Sequence, residues 1–151
     1  MLIKEVNPGA ISKDSGKVYS WSILGVLDNE KQVKIKDLLP FNLTKYIDQE
    51  VECLIAATFV KVINKVDESI KENIAAPILF GKYIDKYSIS KKWEECEGYL
   101  PIENSSAIKT KKDIFLISSR DFIRQGISVN DGDDIIIKPA DLELVAWLPI
   151  L

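Results

Sequence analysis

Histidine is absent from the 151 residues, and that absence excludes more chemistry than any residue present points to. It is the side chain whose unperturbed pKa lies in the physiological range, the commonest metal ligand and the commonest general base. Without it no Ser-His or Cys-His nucleophile pair and no His-containing zinc site can be assembled. Cysteine is scarce too: Cys53 and Cys96 are too few for a disulfide framework or an all-thiolate zinc site. The seven glycines form neither phosphate-binding pattern, G-x-G-x-x-G or G-x-x-x-x-G-K. No apolar run approaches the roughly 18 residues of a membrane helix, and the opening MLIKEVNPGA is not a secretory signal. The expectation is a cytoplasmic protein with no membrane segment, no cofactor and no metal, leaning away from catalysis.

What is present describes an ordinary folded domain. Hydrophobic residues make up 46% of the chain, and at this length roughly 70% of the unfolded surface is removed from water on folding. No metal or disulfide staple is needed. A net charge of −3 with 28% charged residues is neither the basic excess of a duplex-DNA binder nor an acidic tail. The length fits a single domain over 1–151.

The organising stretch is Glu50 to Val66, EVECLIAATFVKVINKV. Val51, Cys53, Ile55, Ala57 and Phe59 alternate with a second set that starts charged, the pattern of a central strand. Past Phe59 the apolar set changes parity to Val60, Val62 and Val66. A parity change within one run predicts a bulge or sharp bend, the device that turns a barrel corner. Cys53, on the apolar face, reads as a buried thiol.

Around this stretch, Met1–Val6 reads as a first strand closed by Asn7-Pro8-Gly9. A hairpin follows over Lys17–Leu27 and Val33–Lys36, with Lys34 and Lys36 outward. Asn42 caps a helical turn through Ile47. Ile70 and Ile74 suggest a short helix over about 68–75, stopped by Pro77. Pro77–Ser90 returns to strand character, with a bend at Gly81 and a turn at Asp85-Lys86, and Lys91–Ser106 reads as loop with room for one short strand. Ile114–Ile117 is a compact strand. Ser118 or Ser119 then caps a helix with Asp121 in its first turn, Phe122 and Ile123 inward, and Gly126 as its left-handed exit. Asp121 and Arg124, three apart, suit a surface ion pair. Asp134–Lys138 and Leu142–Leu148 close the fold.

The residues Phe115–Ile117, Phe122, Gly126-Ile127, Val129, Gly132-Asp133 and Ile135–Ile137 give the order strand, short helix, G-I-x-V, Asp-Gly turn, strand. This resembles a building block of small bacterial β-barrels, the AbrB-like swapped hairpins and the double-psi barrels. The resemblance implies barrel architecture and no particular activity. It departs from the AbrB pattern where Ser118-Ser119 replace the proline that opens the helix. Strand Val33–Leu38, a polar turn of helix and the strand from Glu50 repeat the order, which leaves room for two related halves, about 1–66 and 77–151.

Three constellations bear on function. Lys82, Tyr83, Lys86, Tyr87, Lys91, Lys92 and Trp93 interleave lysines with aromatics, as a single-stranded nucleic acid site requires: bases stack on rings and ammonium groups track phosphates. Core rings with lysines on the solvated face account for the same pattern, and Glu94, Glu95 and Glu97 weaken any positive potential. Asp131, Asp133 and Asp134 offer carboxylates for a hard cation but lack the spacing of a twelve-residue calcium loop, and a solvated turn explains them. Glu94, Glu95 and Glu103 are the remaining carboxylates for acid–base work. The closing run LELVAWLPIL stays apolar, so Trp147, Leu148, Ile150 and Leu151 must be buried, either on the protein's own sheet or in a homodimer or partner interface with Trp147 as anchor.

The reading is a mainly β fold, a small partly open β-barrel, OB-like or cradle-type, of about seven to nine strands with one or two short helices. The function expected is a non-enzymatic binding module that works by protein–protein contact, as a homo-oligomer or with another protein. The alternatives are a single-stranded nucleic acid-binding barrel using the Lys82–Trp93 surface and, last, a carboxylate-based or metal-dependent hydrolase.

Overall fold

The alternation of apolar and polar residues resolves into ten strands among the described residues. They are β1 (Leu2–Pro8), β2 (Trp21–Val26), β3 (Gln32–Asp37), β4 (Val51–Thr58), β5 (Lys61–Val62), β6 (Leu79–Tyr87), β7 (Ser105–Lys109), β8 (Ile114–Ile117), β9 (Asp134–Lys138) and β10 (Asp141–Pro149). Among the described residues, one α-helix, α1 (Ser119–Gln125), and a 3₁₀ turn at Thr44–Tyr46 accompany them. The computed structural model describes residues 1–63, 70–88, 90, 91, 93 and 105–150.

All ten strands belong to one sheet, in the order β1-β2-β3-β10-β4-β8-β7-β6-β9-β5. Two antiparallel meanders, β1-β2-β3 and β6-β7-β8, flank the antiparallel pair β10–β4. Each meander joins that pair in parallel: β3 meets β10 through Lys36 and Glu143, and β8 meets β4 over Leu54–Ala56. The pairing is therefore symmetric about β10–β4, with β9 and β5 added at one end.

The sheet curls without closing into a continuous ladder. A single bridge, Leu2 to Glu50, with the Val51 N–H donating to the Met1 carbonyl at 2.9 Å, brings β1 back against the start of β4. The strands β1, β2, β3, β10 and β4 thus curl round until the first meets the start of the last at that one bridge. At the opposite end of β4, only Phe59 and Val60 separate Thr58 from Lys61, a span of about 11 Å at most. The far edge of the sheet must therefore return beside its middle. The mainly β expectation holds. "Barrel" describes curvature here, since the ends β1 and β5 are not paired with each other.

One apolar core is shared across the sheet. Ile3, Ile23, Val33, Ile35, Val51, Cys53, Ile55, Ala57, Leu79, Ile108, Phe115, Ile137, Leu142 and Leu144 all contribute to it. Two bulges keep its parity. One between Ile3 and Glu5 lets Ile3 and Val6 both face inward, and one between Leu144 and Ala146 moves Ala146 to the outer face. On that outer face Leu54, Ala107, Leu116, Ala146 and Trp93 form a second, smaller cluster.

Several expectations are corrected in detail. Over its described residues, which end at Ile63, the Glu50–Val66 ribbon is two strands, β4 and β5, which stay in one core. Phe59 between them has φ 49°, a left-handed backbone unusual for a bulky residue. β6 continues through Gly81 and Asp85-Lys86 without turning back. Gly81 is there for close approach, because a Cβ would collide with Ile108 and sit 2.9 Å from the Lys109 carbonyl oxygen. A bulge lies between Ile84 and Tyr87, so the strand shifts parity and continues. Residues 70–76 form a turn in which Asn73 Oδ1 accepts from the N–H groups of Ala75 and Ala76. The rest of the expected 68–75 helix lies outside the described residues. Asp37 is buried and accepts from the N–H groups of Phe41 and Asn42, both at 2.9 Å, which sets the loop into the 3₁₀ turn.

Candidate functional site

Helix α1 is short, so its position is fixed by its ends and one anchor. Ser118 caps it, accepting from the Arg120 N–H at 3.3 Å, and Gly126 at φ 65° ends it with its N–H on the Ile123 carbonyl. Phe122 enters the core and meets the Tyr83 ring edge-on, centroids 5.3 Å apart. This anchoring directs two side chains at the β4–β5 bend. Asp121 Oδ2 accepts the Val60 N–H at 3.0 Å. Gln125 Nε2 donates to the Val60 carbonyl at 2.7 Å, while its Oε1 accepts the Val62 N–H at 2.9 Å. Backbone groups that a neighbouring strand would have satisfied are taken by two side chains one helical turn apart.

The bend so held presents an aromatic ring to solvent. Phe59 is 68% exposed, and the Arg124 guanidinium lies over its ring at 5.4 Å. Arg124 also pairs with Asp121. The sequence suggested a surface pair at Asp121–Arg124; the carboxylate is in fact buried and shared with Val60. Ile123, expected inward, is 76% exposed, because the direction of Phe122 fixes the helix and sends the next position outward. Arg120, Ile123 and Arg124 stand at i, i+3 and i+4 and form one face.

Among the described residues around Phe59 and Ile123 the charge is mostly positive. Lys61 lies opposite Lys138 across the β5–β9 ladder, and Arg120 is exposed on α1. The nearby Asp141 carboxylate is engaged by Lys36 at 3.0 Å.

The lysine–aromatic constellation is not gathered on one face. Tyr83 points into the main core, 2% exposed, with its hydroxyl 3.1 Å from Ser106 Oγ and donating to Asp85 at 3.1 Å. Burial pushes its pKa up, and Asp85 adds to this. Trp93 is 4% exposed, in the second cluster on the outer face, with Tyr87 packed against that cluster. Neither Tyr83 nor Trp93 has a ring face open to a base. Lys82, Lys86 and Lys91 are exposed; Lys92 lies outside the described residues.

Trp147 is half-buried against the main core with its ring edge on Tyr46, centroids 4.7 Å apart. Leu148 packs against the second cluster. The closing run therefore docks on its own sheet through β4. Ile150 is exposed, and Leu151 lies outside the described residues.

Of the acidic candidates that are described, Asp131 and Asp133 are turn chemistry and Asp134 opens β9 opposite Lys82. Asp131 Oδ1 accepts the Asp85 N–H and Asp133 Oδ2 the Asn130 N–H, both at 2.9 Å. Glu94, Glu95, Glu97, Glu103 and Cys96 lie outside the described residues. Among the described residues no cluster of acidic or cysteine side chains could hold a metal ion, and no helix is long and apolar enough to cross a membrane. Cys53 is buried, and burial pushes its pKa up to about 12, which leaves an inert thiol. An open cleft of about 320 Å³ lies between Leu27, Asp28, Phe80, Thr110 and Lys111. Asp28 is already engaged there, accepting from the Lys112 N–H at 2.9 Å.

No family model, curated protein or solved structure matches this chain.

Proposed function

We propose that this chain is a cytoplasmic, non-enzymatic binding module that acts by protein–protein contact, and that the contact is made through Phe59 and Ile123. The observation that carries the reading is the exposed Phe59 ring on a left-handed backbone, fixed there by Asp121 and Gln125 and covered on one side by Arg124. A non-glycine residue in that region costs about 1–3 kcal/mol and persists where the surroundings over-determine it, typically at functional positions. Aromatic and arginine side chains are the usual anchors of protein interfaces. The absence of histidine from the sequence weighs against acid–base or nucleophilic catalysis. The burial of Tyr83 and Trp93 weighs against nucleic acid stacking at the Lys82–Trp93 surface.

The test is site-directed photo-crosslinking in the native host, with the photoreactive residue at position 123 and a control at Lys13, an exposed loop position. The expected result is a discrete protein adduct from position 123, absent from the control and lost when Phe59→Ala is added. An adduct to a second copy of the chain is the homo-oligomeric form of the same reading. Equal, Phe59-independent labelling from both positions overturns it.

A further inference from the structure

We infer that the segment docking on Phe59 and Ile123 belongs to an acidic, apolar stretch of the partner protein; this rests on the protein-contact reading of the same surface. The chain as a whole carries −3, yet the bend reverses that sign. Lys61, Lys138, Arg120 and Arg124 lie on the elements that meet there; of the two carboxylates at the bend among the described residues, Asp121 and Asp141, the first is buried and already occupied by the Val60 N–H and Arg124. Among the described residues neither Arg120, Lys61 nor Lys138 has a carboxylate within ion-pair distance, and Asp141 is engaged by Lys36. An interface that covers Phe59 and Ile123 also approaches these cations. Their charge must then be matched across the interface, since unmatched charge brought into contact costs affinity and slows encounter.

The chemistry favours a peptide over a polyanion. Ile123, the most exposed large hydrophobic residue among the described residues, offers nothing to a base or a phosphate but matches a leucine or phenylalanine side chain. Arg124 has part of its guanidinium committed to Asp121 and lies over Phe59, so it orders the ring more than it attracts phosphate. What remains is an apolar centre with a basic rim, the complement of leucine or phenylalanine set among aspartates and glutamates.

The experiment is fluorescence anisotropy on the full chain with three labelled peptides of equal leucine and phenylalanine content, their remaining positions Asp/Glu, Ser or Lys. A labelled oligo-dT and phosphatidylserine vesicles serve as competing anions. The expected result is binding of the Asp/Glu peptide alone, weakened by added salt. Phe59→Ala and Arg120→Glu should each reduce affinity about tenfold or more. Circular dichroism first establishes that both variants are folded; both positions are exposed. Equal, Phe59-dependent binding of the Ser peptide overturns the acidic character and leaves the protein-contact reading standing. Phe59-dependent binding of oligo-dT or vesicles, with no peptide bound, overturns both. If no probe binds, the acidic inference fails, and crosslinking from position 123 judges the contact reading separately.

Discussion

The Gln125 carboxamide stands where a strand would stand: its Nε2 donates to the Val60 carbonyl at 2.7 Å, and the same group takes the Val62 N–H through Oε1. The sheet ends at β5 with that edge turned to α1, so one side chain both satisfies the backbone and blocks further pairing. Gln125→Ala removes both bonds. Stability should fall by about 1–3 kcal/mol in urea denaturation. The uncovered edge should also raise light scattering on storage, because an unpaired strand edge is a template for association.

Asp121 acts on the same bend from one helical turn earlier. Asp121→Ala leaves the Val60 N–H and Arg124 without their buried acceptor, and a loss of about 2–3 kcal/mol is expected from the unsatisfied donor. Asp121→Asn keeps one acceptor oxygen for Val60 and should recover part of that loss. Equal stability of the two variants would show that the Val60 bond matters little.

Phe59→Gly separates stability from function. Glycine adopts positive φ without the Cβ penalty, and little packing is lost from so exposed a ring. After the entropic cost of glycine is subtracted, stability should be unchanged or rise by up to about 1 kcal/mol. Peptide binding should disappear in the same variant. A destabilised Phe59→Gly protein would mean that the ring supports the fold.

Cys53 gives a pH signature. Its thiol ionises at about 12 in the folded protein against an ordinary 9.0, with burial the main cause. Between those values the unfolded chain releases its proton first, so the unfolded state binds fewer protons and stability falls as pH rises. Below pH 9 the contribution is constant. In a Cys96→Ser background, the stability gap between the protein and its Cys53→Ala variant should be flat up to about pH 9. Above that it should shift against the cysteine by up to about 1.4 kcal/mol per pH unit. A gap that stays flat to pH 10.5, roughly midway across the window, would overturn the assignment. The native thiol should likewise react with thiol reagents only as fast as the protein opens.

Much of the local structure was legible because it depends on near neighbours. The β2–β3 hairpin follows from Val33 and Ile35 alternating with Lys34 and Lys36, and the ends of α1 follow from Ser118 and Gly126. The parity change at Phe59 marked a bend correctly. What the pattern could not supply is direction. Phe59 continues the inward set Val51, Cys53, Ile55, Ala57 on paper, but its left-handed backbone turns the ring outward. Ile123 was misread for a related reason, since a seven-residue helix has too few positions for its periodicity to decide which neighbour of Phe122 faces out. The one available signal for the site was the pair Asp121 and Gln125, polar groups four apart on the helix and able to reach the same partner. The bulge at Leu144–Ala146 and the parallel pairing of β4 with β8 depend on residues far apart in sequence and left no local trace.

The position of β10 constrains how this protein comes into being. It lies between β3 and β4, so the first meander has no neighbour for its inner strand until residues 141–149 have been made. A nascent chain that has released only the first half exposes two open seams at once and must wait for a late-synthesised segment to zip them together. Folding on the ribosome should therefore be deferred until β10 has emerged. Stalled or clipped products lacking β10 should be the species that chaperones and proteases meet.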